Sequence, residues 1–254
     1  MLLTLRFTRT SQPKRYKEMI LDIDNLSLVQ NFVKKLTEGW FDIDNMYHEL
    51  KAGSQTNWTE FWNITDSMIN TVSDYLKCSS EYFVSQWNKK CSLHGAMVKG
   101  YHCTRHSNKS VFLEKGILPL SEKTVNPLKN QKQLDASKIW NYRSTVGAGP
   151  YLCLSYKSAK DPNNHFFNGP EILLGLIGNQ PGINHEKSIP LILHCEIPFS
   201  ILTNKKFYIF CALKAYLNFL DPEDGTEDLF EGASIDLNGN PLAPKYIVRI
   251  EEIE

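Results

Sequence analysis

The chain carries no net charge, because 28 lysines and arginines are balanced by 28 aspartates and glutamates. A basic field over the whole surface is therefore excluded, and a nucleic-acid partner would need a local patch. A candidate patch near the N-terminus is either such a docking surface or a solvated arm. It consists of Arg6, Arg9, Lys14, Arg15 and Lys17.

Long hydrophobic runs are missing too, since no apolar stretch approaches the roughly 20 residues of a membrane span. The short apolar segment Met1-Leu2-Leu3-Thr4-Leu5 is followed, not preceded, by basic residues, which is unlike a signal peptide. We therefore expect a cytoplasmic protein that does not bind a membrane.

Several familiar motifs are absent. Gly147-x-Gly149 lacks the third glycine of a dinucleotide-binding turn, and neither a phosphate-binding loop nor a Gly-x-Ser-x-Gly elbow occurs. No two cysteines form a Cys-x-x-Cys pair, so we expect reduced thiols in the core. The six are Cys78, Cys91, Cys103, Cys153, Cys195 and Cys211.

The first part of the chain has helical periodicity. One apolar stripe runs from Leu26 to Leu36 and ends near Gly39, and a short helix is expected over 44–52. A third stripe runs from Trp58 to Leu76, and its face continues to Trp87. Its phased aromatics indicate a core rather than a surface for stacking bases. Residues 1–95 are therefore predicted to be a helical subdomain with a basic arm.

After residue 97 the chain turns β-prone, with one helical stretch over Phe207–Leu220. Long polar loops are expected over 121–146 and 161–187. The pattern predicts an α+β domain over 96–254 with a split, mixed sheet. The expected strands are Val98–Cys103, Pro150–Leu154, Ile189–Pro198, Gly232–Leu237 and Tyr246–Ile250.

Three segments carry residues suited to chemistry. The first is His102-Cys103-Thr104-Arg105-His106-Ser107-Asn108, followed by a short helix that ends at Gly116. The second is the strand Gly149-Pro150-Tyr151-Leu152, followed by Lys157-Ser158-Ala159. The third is Glu231-Gly232-Ala233-Ser234-Ile235-Asp236, followed by the strand from Lys245 to Ile250.

In this order, with the strand that ends in Cys195-Glu196-Ile197, the segments resemble the motifs of the ADP-ribosyltransferase superfamily. The nearest branch is the poly(ADP-ribose) polymerase-like one with its His-Tyr-Glu set. The resemblance covers about three fifths of the chain, roughly residues 98–254. It implies a mono-ADP-ribosyltransferase, similar to bacterial or phage-defence toxins, that uses NAD+ as co-substrate and no metal.

The resemblance also implies a role for each matching residue. Glu231 would stabilise the cation that develops when nicotinamide leaves the ribose, and a neutral His102 would donate a hydrogen bond to the other ribose. The ring of Tyr151 would stack on the nicotinamide. The remaining cofactor contacts would be the Ser158 hydroxyl to the carboxamide, the Cys103 backbone beside it, Thr104, and Arg105 with Asn108 toward the adenosine.

The same resemblance implies two kinds of partner. One is a macromolecular acceptor, which would be RNA, DNA or protein, and the other is an antitoxin or regulatory protein.

Three departures from the family pattern leave alternatives open. Cys103 replaces a glycine, the spacing from Tyr151 to Lys157 is one residue shorter than in the family, and the loop from Leu237 to Ala243 is about two residues longer. Glu227 is the fallback for the glutamate.

Other functions also remain open at this stage. The domain would hydrolyse NAD+ if no acceptor is used, or bind ADP-ribose-like ligands if it is inactive. A 2′-phosphotransferase is disfavoured by Glu231. A zinc site would instead use Cys91, His94, His102 and His106, whose residue types and local spacings suit the metal, although the central gap is short.

Overall fold

The computed structural model describes residues 19–53, 55–106, 108–119, 149–161, 189–221, 230 and 232–253. The basic arm, the two long loops (apart from Asp161), Glu227 and Glu231 therefore lie outside the described residues. Eight α-helices occur in the described ranges, and none of them is long and apolar enough to cross a membrane. They are α1 (Leu26–Thr37), α2 (Ile43–Ala52), α3 (Trp58–Asn63), α4 (Thr65–Tyr75), α5 (Ser80–Leu93), α6 (Ser110–Lys115), α7 (Tyr156–Lys160) and α8 (Lys205–Leu220).

Six strands form one open sheet in the order β5-β3-β2-β4-β6, and β1 also pairs with β2. The β1–β2 pair is parallel and the other pairs are antiparallel, so the sheet is mixed. The α+β class and the mixed sheet are thus confirmed. The strands are β1 (Ile20–Leu21), β2 (Met97–His106), β3 (Tyr151–Cys153), β4 (Ile189–Pro198), β5 (Ser234–Asp236) and β6 (Ile247–Glu252).

One edge of the central strand β2 pairs with two different strands, β1 and β3. Leu21 pairs with Val98 at the start of β2, whereas Cys153 pairs with Tyr101 further along the same strand. On its other side β2 pairs with β4 over its full length, from Met97 to His106. Among the described strands, the one that carries His102 is therefore the only one that pairs with three others.

The two faces of the sheet are covered differently. The face that we call the helical face carries Val98, Leu152, Leu193 and Ile235, which belong to one buried cluster with side chains of α1, α4, α5 and α8. The opposite face, which we call the α7 face, carries a smaller cluster that lies under the short helix α7. Its buried members are Tyr101, Cys103, Cys153, Ala159 and Ile192.

Most of the aromatic stripe of the helical part is buried as predicted, although Tyr82 is 52% exposed. The interpretation of the stripe as one helical face from Trp58 to Trp87 was wrong. Phe61, Phe83 and Trp87 are fully buried. The stripe is shared by α3, α4 and α5, because Ile64 adopts an extended conformation between the first two. Lys77, with a φ of 55°, follows α4, and a new helix then starts where the Ser79 side chain accepts a hydrogen bond from the Tyr82 backbone N–H.

All six cysteines are free, and five of them are buried, as expected for reduced core thiols. Burial raises the pKa of Cys91, Cys195 and Cys211 well above the ordinary thiol value. Such thiols stay protonated near neutral pH and are poor nucleophiles.

Candidate functional site

The structure brings the strands of the three motifs side by side. β3 lies between β2, which carries His102, and β5, which starts three residues after Glu231. Ala233, two residues after that glutamate, accepts a backbone hydrogen bond of 3.0 Å from Leu154. The chain next to Glu231 is therefore fixed at the end of β3 from which α7 begins.

His102 is held by one hydrogen bond. Its Nδ1 lies 2.9 Å from the backbone carbonyl oxygen of Tyr151, on the neighbouring strand. Because a carbonyl only accepts, Nδ1 must carry the proton. Burial lowers the pKa of His102, against the opposing effect of this hydrogen bond, so the ring is neutral near pH 7.

This tautomer corrects one detail of the sequence-based expectation. In a neutral imidazole with the proton on Nδ1, Nε2 is an acceptor. His102 would then receive a hydrogen bond from a ribose hydroxyl instead of donating one. Within the described part of the chain, the contact with Tyr151 is the only hydrogen bond that the His102 ring makes.

The side chains of His102 and Tyr151 point to opposite faces of the sheet. His102 alternates with Cys103 along β2 and shares the helical face with Gly100, where an added Cβ would lie 2.7 Å from Ile235 Cδ1. Tyr151 pairs with Asp236 and alternates with Leu152, which places its ring on the α7 face. The backbone of Tyr151, rather than its ring, is what meets His102.

Cys103 and Ser158 lie on the α7 face together with Tyr151. The Cys103 thiol donates a hydrogen bond of 3.2 Å to the backbone oxygen of Ala159 in α7, which joins the first motif to the second. Ser158 is half-buried in the first turn of that helix. The cofactor contacts predicted for these residues stay predictions, but the residues are neighbours.

The other residues predicted from the first motif lie further along the chain. Thr104 is almost fully buried and shares the helical face with His102, while Arg105 is half-buried. Asn108 is exposed, and its side-chain oxygen accepts a 3.0 Å hydrogen bond from Ser110 N at the start of α6. Asn108 therefore has a structural role in starting this helix, whatever it contacts in a ligand.

A second polar cluster lies on the α7 face and was not found from the sequence. Glu251 accepts hydrogen bonds from Tyr156 Oη at 2.7 Å and from His194 Nε2 at 2.8 Å. The rings of Tyr101, Tyr156 and His194 lie with centroids 5.3–5.5 Å apart. The one signal in the sequence was a histidine within the apolar strand β4; nothing in the spacing linked it to Glu251.

The protonation states in this cluster follow from its contacts. Burial lowers the pKa of His194, although Glu251 opposes the change. Burial tends to raise the pKa of Glu251, but the hydrogen bonds from Tyr156 and His194, together with the nearby charge of Arg249, keep its pKa below the usual value. Near pH 7 a neutral histidine therefore donates to an ionised glutamate.

Mild acidification is expected to destabilise the fold through His102 and His194. Both have a lower pKa in the folded chain than in the unfolded chain, so the unfolded chain binds more protons once the pH falls below about 6.5. The urea midpoint should therefore fall between about pH 7.5 and 5.5, where Glu251 stays ionised. The double variant His102→Gln/His194→Gln should show a flatter dependence on pH.

The matched control for this experiment is His48→Gln, because His48 is exposed on α2. This variant should keep the pH dependence of the parent protein. Equal slopes for the parent protein and the double variant would contradict the assigned charge states.

The alternative zinc site is not assembled. Cys91 is buried in α5, and His102 and His106 lie four residues apart on an extended strand, roughly 13 Å along its axis. Zinc ligands must each lie within about 2.3 Å of one metal ion. The described ranges contain no group of three His, Cys, Asp or Glu side chains placed to hold a metal.

Comparison with protein-family models, curated proteins and solved structures gives no match for this chain.

Proposed function

We propose that the protein is an NAD+-dependent mono-ADP-ribosyltransferase of the toxin or defence-effector type, with an ADP-ribosyltransferase-like split sheet. The observation that carries this proposal is the placement of β2, β3 and β5 as neighbours. Three segments that are far apart in sequence, each of which resembles a motif of one family, thus carry or directly precede adjacent strands of the sheet.

The geometry around His102 supports the same proposal. A neutral imidazole held by a backbone carbonyl and presenting Nε2 as an acceptor suits a ribose hydroxyl. Because the rings of His102 and Tyr151 lie on opposite faces of the sheet, NAD+ that contacts both residues would have parts on both faces. The nicotinamide would then lie against Tyr151 and Ser158.

The chemical step would be loss of nicotinamide from NAD+. The carbon–nitrogen bond breaks, its electrons leave with nicotinamide, and the ribose develops an oxocarbenium-like cation. A carboxylate at Glu231 would stabilise this cation, and a nucleophile on RNA, DNA or protein would then form the new bond to the ribose and release its proton to water. No redox step or metal is required for this transfer.

The experiment that tests the proposal supplies NAD+ labelled in its adenylate part to the purified protein. RNA, single-stranded DNA and cell protein are added in separate mixtures, and free nicotinamide and polymer-bound label are both measured. We expect nicotinamide release together with label on one polymer class, which identifies the acceptor. The Glu231→Ala variant is the control, and it should give neither product.

The other outcomes discriminate between the alternatives. Nicotinamide release without label on any polymer would assign NAD+ hydrolysis instead of transfer. Absence of both products in every mixture, with NAD+ still bound by the protein, would assign an inactive fold that serves as a binding module. A regulatory protein or antitoxin would be sought as an inhibitor of the measured release.

A further inference from the structure

The short helix α7, which carries Ser158, has too few residues to be stable alone. It spans only five residues, from Tyr156 to Lys160, and follows β3 after a two-residue turn. Forming a first helical turn is unfavourable without outside support, and isolated helices shorter than about 12 residues are marginal in water. The position of Ser158 therefore depends on what holds the start of α7.

Asp24, which lies 131 residues before Ser155, supports the start of α7. One carboxylate oxygen, Oδ1, accepts a 3.0 Å hydrogen bond from Ser155 Oγ, and the other, Oδ2, accepts a 2.7 Å bond from Tyr156 N. Ser155 Oγ in turn accepts hydrogen bonds from the backbone N–H groups of Lys157 and Ser158. The carboxylate thus fixes the residue that caps α7.

The residues on both sides of Asp24 in the sequence are held in place by contacts of their own. Asp22, two residues before it, forms a 2.8 Å ion pair with Lys99 Nζ on β2, where the Asp22 side chain is 5% exposed. Asn25, the next residue, caps α1 by accepting a hydrogen bond from Leu28 N. Asp24 is exposed, but it lies in the short connection between β1 and α1, where the residues on both sides of it are held in place.

A second carboxylate holds the same helix further along. Tyr156 donates its hydroxyl proton to Glu251 on β6, so α7 has one anchor at its start and one through its first side chain. Ser158 lies two residues beyond Tyr156. Three hydrogen bonds to α7 and its cap thus come from segments distant in sequence, two from Asp24 in the helical part of the chain and one from Glu251.

We propose that Asp24 is a positioning residue for Ser158, and that the helical part of the chain thereby takes part in NAD+ binding. The inference rests on the proposed function, in which the Ser158 hydroxyl binds the carboxamide of NAD+. Asp24 touches neither the cofactor nor the reacting atoms. It acts through Ser155 and the first turn of α7.

The test measures the KM for NAD+ and the NAD+ dissociation constant by calorimetry for Asp24→Ala. Both are expected to rise about tenfold, the size of one lost hydrogen bond, with little change in kcat. Asp24→Asn keeps one acceptor oxygen and should restore part of the affinity. Asp66→Ala is the control, because its carboxylate is 69% exposed and ion-pairs with Lys206 at the surface.

A double-mutant cycle separates positioning from general destabilisation. In a Ser158→Ala background, Asp24→Ala should raise the KM no further, because the hydroxyl that it positions is gone. An equal rise of the KM in both backgrounds would show that Asp24 does not act through Ser158, and would overturn the proposal.

Hydrogen exchange at the amides of residues 156–160, measured without NAD+, gives an independent readout. Asp24→Ala should accelerate this exchange relative to the parent protein, and unchanged exchange would overturn the inference. A parent protein that neither binds nor consumes NAD+ would instead overturn the proposed function. The exchange result would then decide alone whether Asp24 fixes α7.

Discussion

Replacing Glu231 with glutamine is expected to lower the kcat for nicotinamide release by about 10²–10³-fold, with a much smaller change in KM. A carboxylate that stabilises the ribose cation interacts with the transition state far more strongly than with bound NAD+, so its loss appears in kcat. Glutamine keeps the size and the hydrogen-bonding capacity of the side chain. The measurement is the initial rate of nicotinamide release at several NAD+ concentrations.

Glu227→Gln is the matched control, because it removes the same charge four residues earlier in the same segment. This variant should retain most of the parent rate. A large loss with Glu227→Gln and none with Glu231→Gln would move the catalytic carboxylate to Glu227. Losses below threefold in both variants would contradict catalysis by either glutamate.

Gly116→Ala is expected to reduce the free energy of unfolding by about 3 kcal/mol or more. Gly116 ends α6 with a φ of 74°, and an added Cβ would lie 2.0 Å from the backbone oxygen of Leu242. Backbone cannot move aside as a side chain does, so the clash of about 1–3 kcal/mol adds to a conformational cost of similar size. Urea unfolding followed by circular dichroism gives the measurement.

Gly39→Ala separates the two contributions. Gly39 also has a positive φ, of 69°, but an added Cβ at this position meets no atom within 4 Å. This variant carries the conformational cost without the clash, so it should lose about 1 kcal/mol. Equal losses at the two glycines would show that the approach of the added Cβ to Leu242 costs no stability.

The strands were predictable from the sequence where both faces of the sheet are buried. β4 has the predicted limits, Ile189–Pro198, because alternate residues enter the helical face and the α7 face, so the strand is apolar except at His194 and Glu196. The break within the aromatic stripe was not predictable from periodicity. It depends on the local backbone at Ile64 and on the cap at Ser79, neither of which changes the spacing of apolar residues.

The candidate site was predictable only in part, for a similar reason. A resemblance to motifs identified His102 and Tyr151, and the order of the strands places them as neighbours. Which face of the sheet each ring occupies depends on the pairing register, and a shift by one residue reverses it. The contacts of Asp24 and Glu251 with the start of α7 join segments 131 and 95 residues apart, and only the folded chain shows them.

Little of the surface of helix α8 is exposed to water. Its buried side chains occur all around the helix, from Tyr208 to Leu217, and it packs against α1, α4 and α5 within the cluster that includes the helical face of the sheet. A chain that began at residue 96 would keep α8 but lose the three helices that cover it. The apolar surface exposed on α8 would favour self-association, so residues 96–254 are expected to need the helical part to remain monomeric.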